Sequence, residues 1–210
     1  MDQSERNYLP AAGRHWMLPL YDPIVWILGG SASRRKLVEQ AGIEAGHRVL
    51  EIGCGTGSLT VTIKKMHPQA DVVGMDPDPN ALAIATSKAE RAGLRIEFDR
   101  GFSDHLAYPD ASFDCVFSSF MFHHLPPGEK SATLGDIRRV LKTGGTFHLL
   151  DFVPARSGFA RAIGHLFHAG HGAADRLGEL LEKAGFVDSA EVDHGSTLFG
   201  SIAYYRARNP

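Results

Sequence analysis

The sequence predicts an α/β fold built on a mostly parallel sheet. Short runs rich in Val, Ile, Leu and Phe alternate with segments of helical periodicity between residues 48 and 152. Strand–helix alternation of this kind produces parallel strands joined by right-handed crossovers. The runs are apolar almost throughout, as strands covered on both faces are. The first run opens into "IGCGTG" (52–57), with glycine at every second position. A strand, a glycine-rich turn and then a helix is the usual start of a doubly wound sheet.

The elements follow in order. "YDPIVWILGG" (21–30) and "SRRKLVEQAG" (33–42) carry helical patterns. Ser33 is placed to cap the second, with Leu37, Val38 and Ala41 facing inward and Arg34, Arg35 and Lys36 on a solvated face. Strands are expected at 48–53, 71–76, 95–101, 113–120 and 145–152, each bounded by Gly, Pro or Asp. Between them, 79–93 places Leu82, Ala85, Ala89 and Ala92 on one stripe and stops at Gly93. Residues 129–145 place Leu134, Ile137 and Leu141 at helical spacing before a Gly pair. The segment 154–173 holds four glycines and three histidines and is the least regular part, a mobile or weakly helical cover. An amphipathic helix is expected at 174–185. Two strands, 186–194 and 199–207, should follow around the turn-like "GST", as an antiparallel addition to the sheet edge.

The chain's 210 residues fit one domain with a full core. Lys plus Arg number 22 against 24 Asp plus Glu, a net charge of -2, which gives no electrostatic case for nucleic acid or an anionic membrane. "MDQSERNYLP" lacks the apolar stretch of a signal peptide, and "PIVWIL" is far too short to span a bilayer, so a cytoplasmic location is expected. Cys54 and Cys115, the only cysteines, form no Cys-x-x-Cys pair, and reduced thiols are expected.

The glycine turn raises the question of its ligand. Its spacing is G-x-G-x-G; Ser58 stands where the dinucleotide fingerprint has its third glycine, and no phosphate loop with G-K-[ST] is present. Glu51, just ahead of the turn, suits an ammonium or sulfonium better than a pyrophosphate, which it would repel. Asp76, ending the second strand, is the acid expected at two ribose hydroxyls. Together they describe an adenosine ligand with a ribose and no phosphate.

These blocks resemble a known family. "VLEIGCGTG" looks like the first signature of class I S-adenosylmethionine-dependent methyltransferases, and "VVGMDPDPNALAIA" like their second, acidic one. "YPDASFDCVFSSFMFHHLP" and "DIRRVLKTGGTFHLLDF" resemble later blocks of the small-molecule branch, which includes quinone-biosynthesis-type enzymes. The resemblance implies a Rossmann-like, seven-stranded, mostly parallel sheet with helices on both faces. It implies an N-terminal helical cover at 1–46, a cofactor core at 47–153, and a cover segment, last helix and strand pair at 154–210. It also implies S-adenosylmethionine as cofactor. Gly53, Gly55 and Gly57 would line its methionine part, with Cys54 among them as a small residue that fits rather than a nucleophile. Glu51 would act near its amino group, Asp76 on the ribose, and Pro77 beside the adenine. Ser119 and Phe120 would border the cofactor, and His123 and His124 would lie close to the methyl-transfer site. One block departs from the family: where Gly-Asp-Ala is usual, "GFSDHLAYPD" puts Phe102 in the acid's place. Phe102 is then expected to stack on adenine, with Ser103 or Asp104 supplying the polar contact.

Methyl transfer from a sulfonium is an in-line displacement, so most of the protein's task is positioning and water exclusion. A base is needed only where the acceptor must lose a proton. His123 and His124 stand either as that base or as parts of the fold, one packed beneath the loop and the other capping the next helix. His15, Trp16 and Tyr21 belong either to a substrate cover or to a helix packed on the core. His165, His168 and His171 have spacing that could reach one metal on a helix. The neighbouring glycines disfavour that helix, and no metal is expected. Aromatic residues in the cover segments (Trp16, Tyr21, Trp26, Phe159, Phe167) point to a small acceptor with an apolar body, methylated at oxygen or carbon. A nucleic-acid acceptor is disfavoured, because "SSFMFHHL" occupies the place of a [DN]-P-P-[YF] block. A non-catalytic cofactor-binding module and an NAD(P)-dependent oxidoreductase remain as rivals. The sequence does not fix the oligomeric state.

Overall fold

A computed structural model of the chain describes residues 30–153, 174–197 and 200–210. Residues 21–29 of the helix expected at 21–30, the aromatic cover residues, the segment 154–173 and its three histidines lie outside them. In chain order the described elements are α1 (Gly30–Glu39), β1 (Arg48–Ile52), α2 (Ser58–Met66), β2 (Asp71–Asp76), α3 (Pro79–Arg91), β3 (Glu97–Arg100) and β4 (Phe113–Ser119). A 3-10 turn (Phe122–His124), α4 (Pro127–Val140), β5 (Leu141–Phe152), α5 (Ala174–Lys183), β6 (Val187–Thr197) and β7 (Gly200–Arg208) complete them.

The strands form one sheet in the order β3-β2-β1-β4-β5-β7-β6. The first five are parallel, and β7 runs antiparallel between β5 and β6. The expected mostly parallel, seven-stranded arrangement is therefore present, with the antiparallel pair at its edge. From β1 the chain winds outward through β2 and β3, then returns to lay β4 on the other side of β1. That reversal leaves a crevice beyond the C-terminal ends of β1 and β4.

The strand period of two divides the core. Leu50, Val116 and Phe147 look to one face and pack with Leu134 and Ile137 of α4. Val49, Phe117 and Leu150 look to the other, among Leu37 and Val38 of α1 and Leu59 and Ile63 of α2. Both faces are covered by helices, which explains the uninterrupted apolar runs of the central strands.

Several boundaries differ from expectation for local reasons. α4 stops at Val140, and Leu141 is already extended and paired with Phe113. A bulge then absorbs the Gly pair before Thr146 meets Cys115. Leu141 is thus a strand residue at helical spacing. Ala92 caps the end of α3 and is exposed, while Ala81 is buried in the stripe instead. Ser33 lies inside α1 rather than at its cap. "GST" (195–197) continues β6, with Thr197 paired to Gly200.

Two arrangements brace the crevice. Asp193 of β6 pairs with Lys36 of α1 and accepts a hydrogen bond from Gln40 at 3.3 Å, which ties α1 to the terminal hairpin. Arg139 of α4 donates to the carbonyls of Tyr108 (2.8 Å) and Leu106 (2.7 Å) and to Asp136 (2.7 Å), fixing the loop that follows Phe102. No helix of the described residues is long and apolar enough to cross a membrane.

Candidate active site

The crevice opens into a cavity of about 380 Å³, within the size range of small-molecule sites. Its walls come from the ends of β1, β2 and β4, the loop after β3 and the face of α1. Of the residues expected at the cofactor, Glu51, Gly53, Cys54, Gly55, Asp76, Pro77, Phe102, Ser103, Ser119 and Phe120 all line it. Gly57 instead sits behind, at the start of α2.

Glu51 is the next-to-last residue of β1 and is 1% exposed. Thr60 of α2 donates its hydroxyl to one carboxylate oxygen, and Ser119 of β4 donates to the other at 3.4 Å. Burial pushes the Glu51 carboxyl up to about 7; the Thr60 bond and the Arg34 charge pull against it without cancelling it. Asp76 accepts from the Gly55 N–H at 2.8 Å and from the Asp78 N–H at 2.9 Å, and burial raises it to about 6. Each of its oxygens keeps a second lone pair for a ligand. The cap of α3 is Asp78, not Asp76: its carboxylate accepts from the Asn80 N–H at 2.9 Å.

The turn between these acids takes left-handed conformations at Gly53 (φ 64°), Gly55 (φ 53°) and Gly57 (φ 72°). Two of the glycines are dictated by the protein itself. A Cβ on Gly53 would lie 2.4 Å from Met121 Cγ, and one on Gly57 would lie 2.8 Å from the Ala85 Cβ on α3. Room for a ligand is therefore not the only reason for glycine there. Cys54 is buried, and burial holds its thiol well above the usual range, which leaves it protonated and unreactive.

Phe102, Ser103 and Pro77 also line the cavity, and Ser103 shares a hydroxyl–hydroxyl bond of 3.0 Å with Thr133. Phe120 follows β4 with φ 55°, unusual for a bulky residue, and its N–H bonds to the Leu150 carbonyl at 2.8 Å. That sharp bend delivers the 3-10 turn carrying both histidines.

The structure separates the two histidines. His124 lines the cavity; His123 is not among its lining residues. His123 Nδ1 lies 2.5 Å from Asp151 Oδ1, and its N–H donates to Oδ2 at 2.8 Å. The two rings are in contact, tilted by 43° with centroids 3.8 Å apart. Burial, with a smaller push from His123, lowers the His124 pKa, so its imidazole is neutral near pH 7.

Sequence reasoning missed Arg34 and Asp151. Arg34 is 8% exposed and lines the cavity, which corrects its expected place on a solvated face. The signal was its spacing, since Leu37 and Val38 follow it by three and four positions on the same helix face. Asp151 lies near the end of its parallel strand, as Glu51 and Asp76 do in theirs.

A glycine turn without phosphate-loop chemistry, flanked by buried acids at a switch point, defines a class of protein that binds a cationic nucleoside cofactor. Residues 49–145 match the family model described as a methyltransferase domain. The chain is 30% identical to a demethylmenaquinone methyltransferase of Lactobacillus johnsonii over 180 residues, covering 73% of each chain. It is 38% identical to that of Thermus thermophilus over 143 residues, covering 67% of this chain and 64% of the relative. The match thus spans less than two thirds of the Thermus protein's length. A solved S-adenosylmethionine-dependent methyltransferase of Thermotoga maritima superposes with a TM-score of 0.73 at 19% identity, over 93% of this chain and 97% of that one. The chain belongs to the class I S-adenosylmethionine-dependent methyltransferases, with relatives of the quinone-biosynthesis type. S-adenosylmethionine is the cofactor of that family, and the observed donor set fits it: acids for an ammonium and a ribose, an apolar ring for a base, and no phosphate cradle.

Proposed function

We propose that this chain transfers a methyl group from S-adenosylmethionine to a small organic acceptor with an apolar, aromatic body, at oxygen or carbon. The observation that carries this reading is a neutral imidazole, His124, facing the same cavity that Glu51 and Asp76 close. The bound cofactor supplies an electrophilic methyl on a sulfonium whose departure leaves a neutral thioether. The chain's own residues do the rest. Asp76 would hold the ribose hydroxyls through its open lone pairs, Glu51 would face the ammonium, and Phe102 would lie against the adenine with Ser103 beside it. Gly53, Cys54, Gly55 and Pro77 shape the floor, while Ser119 and Phe120 close the β4 side. His124 would accept the O–H or C–H proton that the acceptor must lose on methylation. Asp151 holds His123, and the His123 ring lies against His124. Relatives named for demethylmenaquinone support a reduced-quinone or phenolic acceptor. The reading includes a cytoplasmic setting, consistent with two free cysteines, and no nucleic-acid partner.

The test is incubation with methyl-labelled S-adenosylmethionine and a panel of hydroquinone, phenolic and thiol acceptors. Label is expected in a phenolic or hydroquinone product. Tight S-adenosylhomocysteine binding with no labelled product on any acceptor would instead indicate a binding module. Saturation by NADH in place of S-adenosylhomocysteine would indicate an oxidoreductase.

A further inference from the structure

Four aromatic rings run in unbroken contact across the ends of β4 and β5. Phe120 meets Phe152 with centroids 4.9 Å apart and a tilt of 41°. Phe152 meets His123 edge-on, at 5.4 Å and 82°. His123 in turn lies against His124 at 3.8 Å. The two outer members of the run, Phe120 and His124, both line the cavity. Phe152 joins them from the end of β5 and is itself only half-buried.

Two features hold this run in place. Asp151, 4% exposed, accepts from the Phe152 N–H at 2.8 Å and from the His123 N–H at 2.8 Å, and lies 2.5 Å from His123 Nδ1. One carboxylate thus fixes both the phenyl at the end of β5 and the turn that carries the histidines. Phe120 holds φ 55°, a left-handed conformation that glycine would adopt without strain. A phenyl there costs the fold stability, yet Phe120 is only half-buried, so core packing alone does not account for it. Strain of this kind beside a cavity points to a task for the ring. With the cofactor on Glu51 and Asp76, the acceptor must reach the methyl from the side where His124 stands.

We propose that Phe152, together with Phe120, is the surface on which the acceptor packs a flat aromatic ring, its reacting edge toward His124; this rests on the methyl-transfer reading above. Phe152 is then a specificity-determining residue, outside the glycine turn and both strands that carry the cofactor's acids. It selects the faces of an aromatic ring over a saturated body of equal bulk, because ring–ring contact adds about 3- to 10-fold in affinity beyond the area buried.

The test is calorimetric titration of the S-adenosylhomocysteine complex with two alcohols of one skeleton. 1-Naphthol has aromatic faces, and decahydro-1-naphthol has none. The parent complex is expected to bind 1-naphthol about 3- to 10-fold more tightly. Phe152→Leu should remove that preference by weakening 1-naphthol alone, and Phe152→Tyr should keep it. In both variants S-adenosylhomocysteine affinity should stay within about twofold of the parent, since the cofactor's acids lie on other strands. A preference for 1-naphthol retained in Phe152→Leu would overturn the proposal. So would an equal loss for both alcohols or a marked loss of S-adenosylhomocysteine affinity, either of which makes Phe152 a mere support of the wall. A parent complex that binds neither alcohol overturns it as well. A parent that prefers 1-naphthol yet labels no acceptor would sink the methyl-transfer reading while the aromatic surface stood, and one that binds no S-adenosylhomocysteine would sink the cofactor reading and the proposal with it.

Discussion

Replacing Glu51 by Gln changes one buried atom from oxygen to nitrogen and removes one titration. The carboxyl titrates near 7 in the fold against 4.5 when free, chiefly because burial disfavours its charge. At ~1.4 kcal/mol per pH unit, that difference corresponds to about 3 kcal/mol. The sign follows from which state holds the proton more tightly. The folded pKa is raised, so the contribution is complete below pH 4.5 and is lost as pH rises through 7. Glu51→Gln keeps a neutral group throughout. Its stability relative to the parent should therefore climb by about 3 kcal/mol between pH 4.5 and pH 8. Urea titrations of both chains without ligand, at half-unit steps of pH, measure that difference. The dependence from Asp76 is common to both chains and largely cancels. Ligand binding should show the converse. Glu51 must be ionised to face an ammonium, so S-adenosylhomocysteine affinity should rise with pH up to about 7 in the parent and be flatter in Glu51→Gln. Parallel stability profiles for the two chains would refute the argument, because a buried acid at about 7 cannot be silent across that window.

Four further outcomes are expected. Gly53→Ala should destabilise the fold by about 2–4 kcal/mol, from the left-handed backbone and the clash with Met121, and Met121→Ala in the same chain should restore only the clash part; a double-mutant cycle in urea measures it. His124→Ala should lower kcat by ~100-fold or more while S-adenosylhomocysteine affinity stays within a few fold, and the parent's rate should rise with pH up to a value below 6.5 and then level. A smaller drop with a displaced pH profile is expected for Asp151→Asn. His148 is buried against Phe117 and held down to about 3, so its contribution is present above pH 6.5 and lost as pH falls; His148→Phe should gain up to about 4–5 kcal/mol over the parent between pH 6.5 and 3, read from acid unfolding curves.

Much of the core was legible because its signals are local. Apolar runs mark β1, β2, β4 and the end of β5, and the expected bounds of β2 match its observed 71–76, whereas β3 (Glu97–Arg100) is a mostly polar edge strand. Glu51 and Asp76 could be found because strand ends and glycines mark them in the chain. The failures were those of information that is not local. Leu141 sits at helical spacing from Ile137, and only its pairing with Phe113 makes it a strand residue. Ser33 has the chemistry of a cap, yet α1 begins three residues earlier. Arg34 shares a run of three cations with two surface residues, and only the docking of α1 on the sheet distinguishes it. The need for glycine at 53 comes from Met121, which is remote in sequence and joins it only when β1 and β4 lie side by side.

Asp193 gives the terminal hairpin a reach beyond the sheet edge. By gripping Lys36 and Gln40 it fastens the helix that presents Arg34, so one wall of the pocket is contributed by polypeptide preceding the glycine turn and steadied by polypeptide near the other end. The stretch 49–145 that the family model covers would, cut out alone, retain the turn and both acids but forfeit Arg34, the only Lys or Arg among the described residues that line the cavity. A minimal fragment engineered from this scaffold must carry both flanks or supply a substitute for that wall.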